Sequence, residues 1–301
     1  MHRPVLVREV LQWLMHDDPK TILDCTVGYG GHAEMVLDGS DSVMKLIGLD
    51  QDVRAIAFSQ ERLARFGERV VLRKGNYRDL KNLLAEIGVP TVAGVLFDLG
   101  VSSPQLDDPA RGFSFMQDGP LDMRMDQKAG ETAADLVNSR EEQELADIIF
   151  QYGEERYSRR IARAIVRERN RGPIQTTGVL ASLVSGAVPP AYRYGRIHCA
   201  TRTFQALRIA VNRELEWLEP SLRDAVDVLA PRGRICVISF HSLEDRIVKH
   251  TFRSLAQGPA ARLALLTKKP ILSSDQECRE NPRARSAKLR VAERLPERMA
   301  A

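Results

Sequence analysis

The chain has 301 residues, of which 44% are hydrophobic and 28% charged, ordinary values for a globular protein with room for two domains. No apolar run approaches the roughly 20 residues of a membrane-spanning helix, and Glu9 and Asp17 interrupt any secretory signal, so we expect a cytoplasmic protein. Its four cysteines form no Cys-x-x-Cys pair, which argues against a zinc site or a disulfide framework.

The first elements predict a nucleoside-binding α/β unit. After an amphipathic helix over 5–14, a buried strand over 21–26 leads into the loop Gly28-Tyr29-Gly30-Gly31-His32, and a helix follows. Glycines let a ligand approach the backbone closely, and a helix N-terminus offers N–H groups to it. A second strand over 45–50 ends in Asp50, about 20 residues after the loop, where an acid binds a ribose diol.

Three interpretations of this loop remain open from the residues alone. The pattern Gly28-x-Gly30-x-x-Ala33 satisfies the loose dinucleotide fingerprint, and a turn without any ligand is also compatible with it. Asp24, four residues before Gly28, favours S-adenosylmethionine, because an acid there commonly lies near the methionine end of that cofactor in methyltransferases. A pyrophosphate would instead meet an unfavourable carboxylate.

Further strands extend the same pattern. A third strand is expected over 69–73, a helix over 77–87 and a fourth, almost wholly apolar strand over 93–98 that ends in Asp98. This alternation predicts a parallel sheet with helices on both faces. Asp24, Asp50 and Asp98 then fall at the carboxyl ends of the strands, where such sheets bind their ligands.

A helical subdomain is predicted as an insertion in this core. Residues 102–130 are rich in Gly, Pro, Asp and Met without periodicity, and a loop of that length is usually functional. Helices are expected over 133–137, 141–152, 156–169 and 177–188, with a break at Pro189-Pro190. We therefore expect a core formed by 1–102 and 201–301, and an inserted substrate-recognition domain formed by 103–200.

The α/β pattern resumes after the insertion. Helices are expected over 204–217 and 221–229, a fifth strand over 234–240 and a final strand over 289–293 at the edge of the sheet. The segment 258–280 is ambiguous, and we expect it to be a loop.

Two positions after strands could carry chemistry. Asp98 could accept hydrogens from an amine, which localises the lone pair of that amine for attack; the alternative is that it caps a turn. His241 follows the fifth strand, beside Ser242-x-x-Asp245, which predicts a capping box that begins a helix. We expect a catalytic role for His241 only because of its place at this end of the sheet.

Arginines cluster in two stretches, 154–173 and 279–298. Guanidinium groups suit phosphate oxygens, and clustered arginine attracts nucleic acid. A solvated helix face with ion pairs, such as Glu155 with Arg159, explains the first cluster equally well.

Eight ordered motifs spread over nearly the whole chain resemble the MraW family, the bacterial small-subunit ribosomal RNA cytosine-N4 methyltransferases. They are Asp24-x-Thr26-x-Gly28-x-Gly30-Gly31-His32, Asp98-Leu99-Gly100-Val101-Ser102-Ser103-Pro104-Gln105-Leu106-Asp107, Arg111-Gly112-Phe113-Ser114-Phe115, Gly119-Pro120-Leu121-Asp122-Met123-Arg124-Met125, Tyr152-Gly153-Glu154-Glu155-Arg156, Ala200-Thr201-Arg202-Thr203-Phe204-Gln205-Ala206-Leu207-Arg208, Ser239-Phe240-His241-Ser242-Leu243-Glu244-Asp245-Arg246 and Asn281-Pro282-Arg283-Ala284-Arg285-Ser286.

The resemblance implies a Rossmann-like methyltransferase core that transfers a methyl group from S-adenosylmethionine to N4 of a cytosine in the decoding region of 16S ribosomal RNA. The implied partner is a small-subunit particle, without a membrane or a metal, and the oligomeric state stays open, with a homodimer among the options. Family cofactor positions correspond here to Gly30, Gly31, His32, Asp50, Tyr77, Asp98 and Gln105. Tyr77 stands where the family has Phe, a change that keeps the ring.

Several residues are expected to contact the RNA. Phe113, Phe115 and Tyr152 could stack on the extruded cytosine, although each is also a plausible core residue. Phosphate contacts are expected from Arg156, Arg159, Arg160, Arg283 and Arg285. Three rival functions stay open at this point: a nicotinamide-dependent dehydrogenase, a non-catalytic ribosome assembly factor, and a methylase of DNA or protein amines.

Overall fold

The computed structural model describes residues 4–17, 19–195 and 197–296 of the chain. They form two compact units, and each is described by itself below. The first unit comprises Met1–Gly100 and Leu215–Ala301, and the second comprises Val101–Glu214.

The first unit is built on a sheet of mostly apolar strands. The strands are β1 (Thr21–Asp24), β2 (Lys45–Asp50), β3 (Val70–Lys74), β4 (Val92–Asp98), β5 (Leu229–Ser239), β6 (Leu263–Leu265), β7 (Ile271–Leu272) and β8 (Lys288–Arg294). Their order is β3-β2-β1-β4-β5-β8-β6, with β7 also paired to β8. The pairs from β3 to β5 are parallel, whereas β8 runs antiparallel to β5.

The strand order changes direction between β1 and β4, and this switch point positions the site. Ligands of open α/β sheets bind in the crevice outside the carboxyl ends of the strands at such a point. Asp24 ends β1, and its register partner on β4 is Leu96, so Asp98 lies two residues further along the neighbouring strand. The predicted parallel α/β sheet is confirmed, and its two acids flank the switch point.

Helices of the first unit cover both faces of this sheet. They are α1 (Val7–Leu14), α2 (Gly31–Gly39), α3 (Val53–Leu63), α4 (Leu80–Ile87), α12 (Glu214–Val228, which begins at the last residue of the second unit), α13 (Ser242–Leu255) and α14 (Asp275–Glu280). Along β4, Val95 and Phe97 belong to the core under α4, α12 and α13. Leu96 between them belongs to the core under α1, α2 and α3, because side chains alternate across a strand.

Two expectations for the C-terminal part were wrong. The last strand, β8, is not at the sheet edge, because β6 and β7 pair along its outer side. Both of those short strands, together with α14, come from the segment 258–280 that we expected to be a loop. Leu289 to Ala292 of β8 are buried.

The second unit is helical. Its helices are α5 (Ser103–Asp107), α6 (Ala133–Ser139), α7 (Glu142–Gly153), α8 (Ser158–Arg169), α9 (Thr177–Ala187), α10 (Pro190–Arg193) and α11 (Thr201–Asn212). The apolar faces of α6 to α9 and α11 form one core. Gly153 at the end of α7 lets α11 approach closely, since a Cβ there would lie 2.5 Å from the carbonyl oxygen of Arg202.

The boundaries of this unit differ from those we expected. The unit begins at Val101 and ends at Glu214, whereas the sequence suggested 103–200. Helix α11, which we placed in the core domain, packs against α6 and α7 instead. The expected helices 204–217 and 221–229 are also divided differently: the break falls at Arg213, whose φ is 52°, and Pro220 lies inside α12.

Two polar side chains, Arg111 and Asn212, hold the irregular segment of the second unit that contains residues 123–125. Arg111 is 1% exposed, and its guanidinium donates to the carbonyl oxygens of Arg124 (2.9 Å) and Met125 (3.0 Å). The amide of Asn212 accepts from Met125 N (2.8 Å) and donates to Met123 O (2.8 Å). These buried bonds satisfy backbone groups that have no helix or strand partner.

Candidate functional site

The glycine loop turns the chain from β1 into α2. Gly28 and Gly30 have φ values of 51° and 75°, a region that side chains disfavour, and Gly30 immediately precedes α2. The loop is held by a bond from Gly30 N to Val27 O (2.8 Å) and by Ser59 Oγ, which donates to Gly28 O (2.7 Å). Its backbone geometry is therefore held by hydrogen bonds within the protein.

Asp50 at the end of β2 supports this loop. One carboxylate oxygen accepts from Gly28 N (2.9 Å) and the other from Asp52 N (2.8 Å). Each carboxylate oxygen can accept more than one hydrogen bond, so a diol could be bound in addition to these backbone groups. The half-buried side chain leaves room for that second role.

Asp24 is buried in a position that disfavours its charge. Only 2% of its surface is exposed, although its Oδ1 accepts from Thr26 N (3.1 Å). Burial raises the pKa of Asp24 to about 7; His32 and the Thr26 N–H oppose the shift, and the charges of Asp98 and Asp50 add to it. Asp24 thus lies close enough to both Asp98 and Asp50 for their charges to raise its pKa.

His32 connects Asp98 to the N-terminal segment. Its Nε2 lies 2.8 Å from the carbonyl oxygen of Val5, and its Nδ1 lies 3.3 Å from Asp98 Oδ2. The Thr26 hydroxyl accepts from Asp98 N (2.6 Å), which fixes the backbone at the end of β4. Asp98 Oδ1 is buried and has no hydrogen-bond partner among the residues that the structure describes.

Sequence reasoning missed Thr26 and the Val5 carbonyl. The hydroxyl of Thr26 stands within the motif that begins at Asp24, and could have been flagged for that reason. A main-chain carbonyl 27 residues before His32 leaves no signal in the residue types.

Tyr77 lies in a short 3-10 turn, Tyr77–Asp79, after β3. Its half-buried ring packs edge-on against Phe97, with ring centroids 5.7 Å apart. Asn76 caps the turn and donates to Gln51 Oε1 (3.0 Å), next to Asp50. The turn is therefore tied to the carboxyl end of β2, where an adenine near the ribose acid would lie, and contact with adenine stays a prediction.

His241 caps a helix. Its side chain accepts from Glu244 N, and Glu244 Oε2 accepts from Phe240 N (2.8 Å) and His241 N (3.2 Å), so the pair begins α13. The capping box that we expected at Ser242-x-x-Asp245 was therefore displaced by one residue. The side chains of His241 and Glu244 are only 8% and 3% exposed, and a catalytic role for His241 stays a prediction.

Gln105 lies in the second unit, where its side chain begins α5. Its Oε1 accepts from Ser102 N (2.9 Å) and from Ser102 Oγ (3.1 Å), and the residue is buried. The side-chain oxygen is thus engaged in a capping box. The cofactor role that the family resemblance implies for Gln105 stays a prediction.

The three residues predicted to stack on the base differ in how deeply they are buried. Phe113 is 6% exposed in the core of the second unit, which argues against a stacking role. Phe115 is half-buried between His198 and Phe204, at centroid distances of 4.6 and 4.8 Å. Tyr152 is half-buried, and its carbonyl accepts from Gln205 Nε2 (3.0 Å).

The arginines around α8 lie on an exposed surface. Arg156, Arg159 and Arg160 are all exposed. The Arg156 guanidinium lies 4.8 Å from the Tyr157 ring and 4.9 Å from the Tyr192 ring, which limits its freedom. Both tyrosines also line a cavity of about 260 Å³ that sequence reasoning did not find, since Tyr192 comes from α10.

Arg283 and Arg285 lie in the first unit, in the 3-10 turn Pro282–Ser286. Both are exposed, whereas Ala284 between them is buried and anchors the turn. The turn is capped by Asn281 Oδ1, which accepts from Arg283 N (3.2 Å). Two cations are thus presented on an ordered turn, and their contact with RNA stays a prediction.

Within the described ranges, no group of three or more His, Cys, Asp or Glu side chains could hold a metal ion. Among the helices described there, none is long and apolar enough to cross a membrane.

Comparison with known proteins indicates the same family as the sequence motifs. Residues 1–295 match the model of the MraW methylase family. Proteins named ribosomal RNA small subunit methyltransferase H are 50% identical in Pelobacter propionicus, 51% in Geobacter sulfurreducens and 53% in Synechococcus elongatus. These alignments cover 98% of this chain and 98%, 99% and 96% of the respective relatives.

Among solved structures, an rRNA methylase from Streptococcus thermophilus aligns with a TM-score of 0.42 and 11% identity, covering 98% of this chain and 99% of that one. This structural similarity is too low to indicate a function, so the family assignment rests on the sequence matches.

Proposed function

This chain belongs to the MraW methylase family, and from that premise we propose that it methylates the exocyclic N4 amine of a cytosine in the decoding region of 16S ribosomal RNA. The cofactor is S-adenosylmethionine. Relatives that are 50% identical or more carry the name ribosomal RNA small subunit methyltransferase, which supports an RNA substrate in the small subunit. Membership of this family excludes the nicotinamide-dependent dehydrogenase.

The residues of the first unit fit S-adenosylmethionine. Carboxylates at Asp24 and Asp50 would bind its ammonium group and its ribose diol, and the backbone of the Gly28–Gly30 loop would lie against it. Electrostatic repulsion among the three acids is relieved by a cation, whereas a pyrophosphate would increase it. The bound cofactor would supply an electrophilic methyl carbon on a sulfonium.

The observation that carries the proposal is the free oxygen of Asp98. Within the described part of the chain, Asp98 Oδ1 is buried without a hydrogen-bond partner, and a buried acceptor left in this state is costly. A cytosine amine has its lone pair delocalised into the ring, and an acceptor for its hydrogens restores nucleophilicity. Asp98 can accept such a hydrogen, because Oδ2 alone is engaged by His32.

Methyl transfer further requires that the amine be aligned with the methyl group and that the target base be accessible. In-line alignment of the amine with the methyl group would supply much of the rate. The proton can leave the amine after methyl transfer, so Asp98 needs only to accept a hydrogen bond beforehand. The target base must be unstacked to react, and Phe115 and Tyr152 of the second unit are proposed to stack on bases of the RNA.

RNA contact is assigned to exposed cations in both units. Arg156, Arg159 and Arg160 in the second unit and Arg283 and Arg285 in the first would contact phosphate oxygens of a small-subunit particle. The helical unit would thus act as the substrate-recognition domain. Each arginine should contribute to salt-dependent affinity.

Methyl transfer to small subunits from cells that lack this protein tests the proposal. Wild-type protein with labelled S-adenosylmethionine should produce an N4-methylated cytidine upon nucleoside analysis, and Asp98→Asn should lose at least about 100-fold in rate. Asp224→Asn is the matched control, since that half-buried acid of α12 forms an ion pair with Lys81 on the surface.

Two results would contradict the proposal. Label in another nucleoside or in protein would replace the substrate. RNA binding that survives Asp98→Asn, without any methyl incorporation by wild type, would instead indicate a non-catalytic assembly factor.

A further inference from the structure

The ring of His32 lies between two acceptors. Its side chain is almost fully buried, with Nε2 2.8 Å from Val5 O and Nδ1 3.3 Å from Asp98 Oδ2. A carbonyl oxygen can only accept, so Nε2 carries a hydrogen. Nδ1 then faces the carboxylate, and a second hydrogen on Nδ1 completes the contact as an imidazolium–carboxylate pair.

The two carboxylate oxygens of Asp98 have different surroundings because only one of them faces His32. Oδ2 is directed at His32, and Oδ1 remains without a partner within the described ranges. The backbone of the same residue is bound to the Thr26 hydroxyl. Contacts within the protein therefore hold the carboxylate in one orientation.

We propose that His32 is a positioning residue for the methyl acceptor: its ring orients the Asp98 carboxylate, and any contact of residue 32 with the methyl donor comes from its backbone. Both ring nitrogens are already directed at protein atoms, so side-chain contact with the cofactor is not needed to explain the residue. This inference rests on the proposed function, because it assigns the acceptor side of the same site.

The N-terminal segment becomes part of the site by this arrangement. Val5 O is held in place because Leu6 N donates to Glu277 Oε1 of α14 (2.7 Å). Pro4 packs on Gly31, where an added Cβ would lie 3.1 Å from the Pro4 ring. The segment thus orients His32, and His32 orients Asp98.

Two substitutions separate the contacts of the ring. In His32→Asn, the amide nitrogen can replace Nδ1 and donate to Asp98, while the bond to Val5 is lost. In His32→Gln, the amide nitrogen can replace Nε2 and donate to Val5, while the bond to Asp98 is lost. We expect kcat to fall about 100-fold in His32→Gln and less than about 10-fold in His32→Asn.

Affinity for the donor distinguishes positioning from direct contact. Calorimetric titration with S-adenosylmethionine alone should give dissociation constants within about threefold of wild type for both variants. A loss of kcat with equal donor affinity and equal KM for the small subunit supports the inference. A larger loss in His32→Asn than in His32→Gln, or weakened donor binding in both, would overturn it.

A spectroscopic measurement tests whether His32 and Asp98 form an imidazolium–carboxylate pair, independently of the methylation reaction. In ¹⁵N NMR of the wild-type protein, both ring nitrogens of His32 should carry hydrogen, and Asp98→Asn should remove the hydrogen from Nδ1. A neutral ring in wild type would overturn the proposed pair. If wild type shows the imidazolium but methylates no ribosomal RNA, the proposed function fails while the positioning of Asp98 stands.

Discussion

Replacing Asp24 with asparagine should stabilise the protein at pH 8 and weaken its binding of S-adenosylmethionine. Asp24 is buried, and its pKa is raised from 3.8 to about 7, mainly by desolvation. Ionised Asp24 therefore costs folding free energy. Asparagine removes the charge and keeps an oxygen that can accept from Thr26 N.

The magnitude follows from linkage between proton binding and folding. A rise from 3.8 to about 7 is about 3 pKa units, or about 4 kcal/mol at 1.36 kcal/mol per unit. Between these pH values the folded state holds a proton that the unfolded state has lost. Stability from this group is therefore greatest below pH 4 and is lost as pH rises to about 7.

Urea unfolding of wild type and Asp24→Asn at several pH values between 5 and 8 measures this effect. The difference in unfolding free energy should grow in favour of the variant by about 2 to 3 kcal/mol over that range. Asp224→Asn should show a small difference that does not vary in this way. A difference for Asp24→Asn that is constant with pH would refute the assignment of the raised pKa to Asp24.

The functional cost should appear in the same variant. Wild-type affinity for S-adenosylmethionine should increase as pH rises through about 7, because ionised Asp24 attracts the cationic donor. Asp24→Asn should bind at least about 10-fold more weakly at pH 8, a loss of roughly 1.4 kcal/mol, and should lack that pH dependence. Equal binding by both proteins at pH 8 would remove Asp24 from the cofactor site.

Three further predictions concern other parts of the chain. Arg111→Met should lower stability by about 3 kcal/mol, since it leaves buried carbonyls such as that of Met125 unpaired; thermal unfolding measures this, and a loss under about 1 kcal/mol would contradict it. Arg156→Gln should reduce the slope of log affinity for small-subunit RNA against log salt by about 1, with unchanged donor affinity; an unchanged slope would exclude a phosphate contact. Tyr77→Ala should weaken donor binding about 10-fold in calorimetric titration while Tyr77→Phe retains it, and equal loss in both would point to the hydroxyl rather than the ring.

Local sequence was sufficient for the elements that hold the predicted cofactor residues. The strands that contain Asp24, Asp50 and Asp98 were predicted because buried parallel strands appear as short apolar runs, although the first was expected to reach Thr26 and ends at Asp24. The glycine loop was predicted because the backbone values at Gly28 and Gly30 are accessible mainly to glycine. Such features depend on residues adjacent in the chain.

Misplaced elements depended on distant partners. The last strand is interior because β6 and β7 pair with it, and no pattern within 289–293 could indicate that. The helix 201–212 has an apolar face that would suit either unit, and its packing on α7 decided its place. His241 at the end of a strand was compatible with catalysis, capping or both; the position of Glu244 shows the capping, and a catalytic role stays a prediction.

By itself, the sequence determined the fold class, the three acids and the glycine loop, because periodicity and backbone preference act over a few residues. Only the tertiary structure decided how these groups are used. It buried Asp24 beside two other carboxylates, placed His32 between Val5 and Asp98, and thereby left a single oxygen of Asp98 free of partners in the described part of the chain. The physical reason is that burial and hydrogen-bond geometry arise from segments far apart in the chain, which residue types and spacing do not encode.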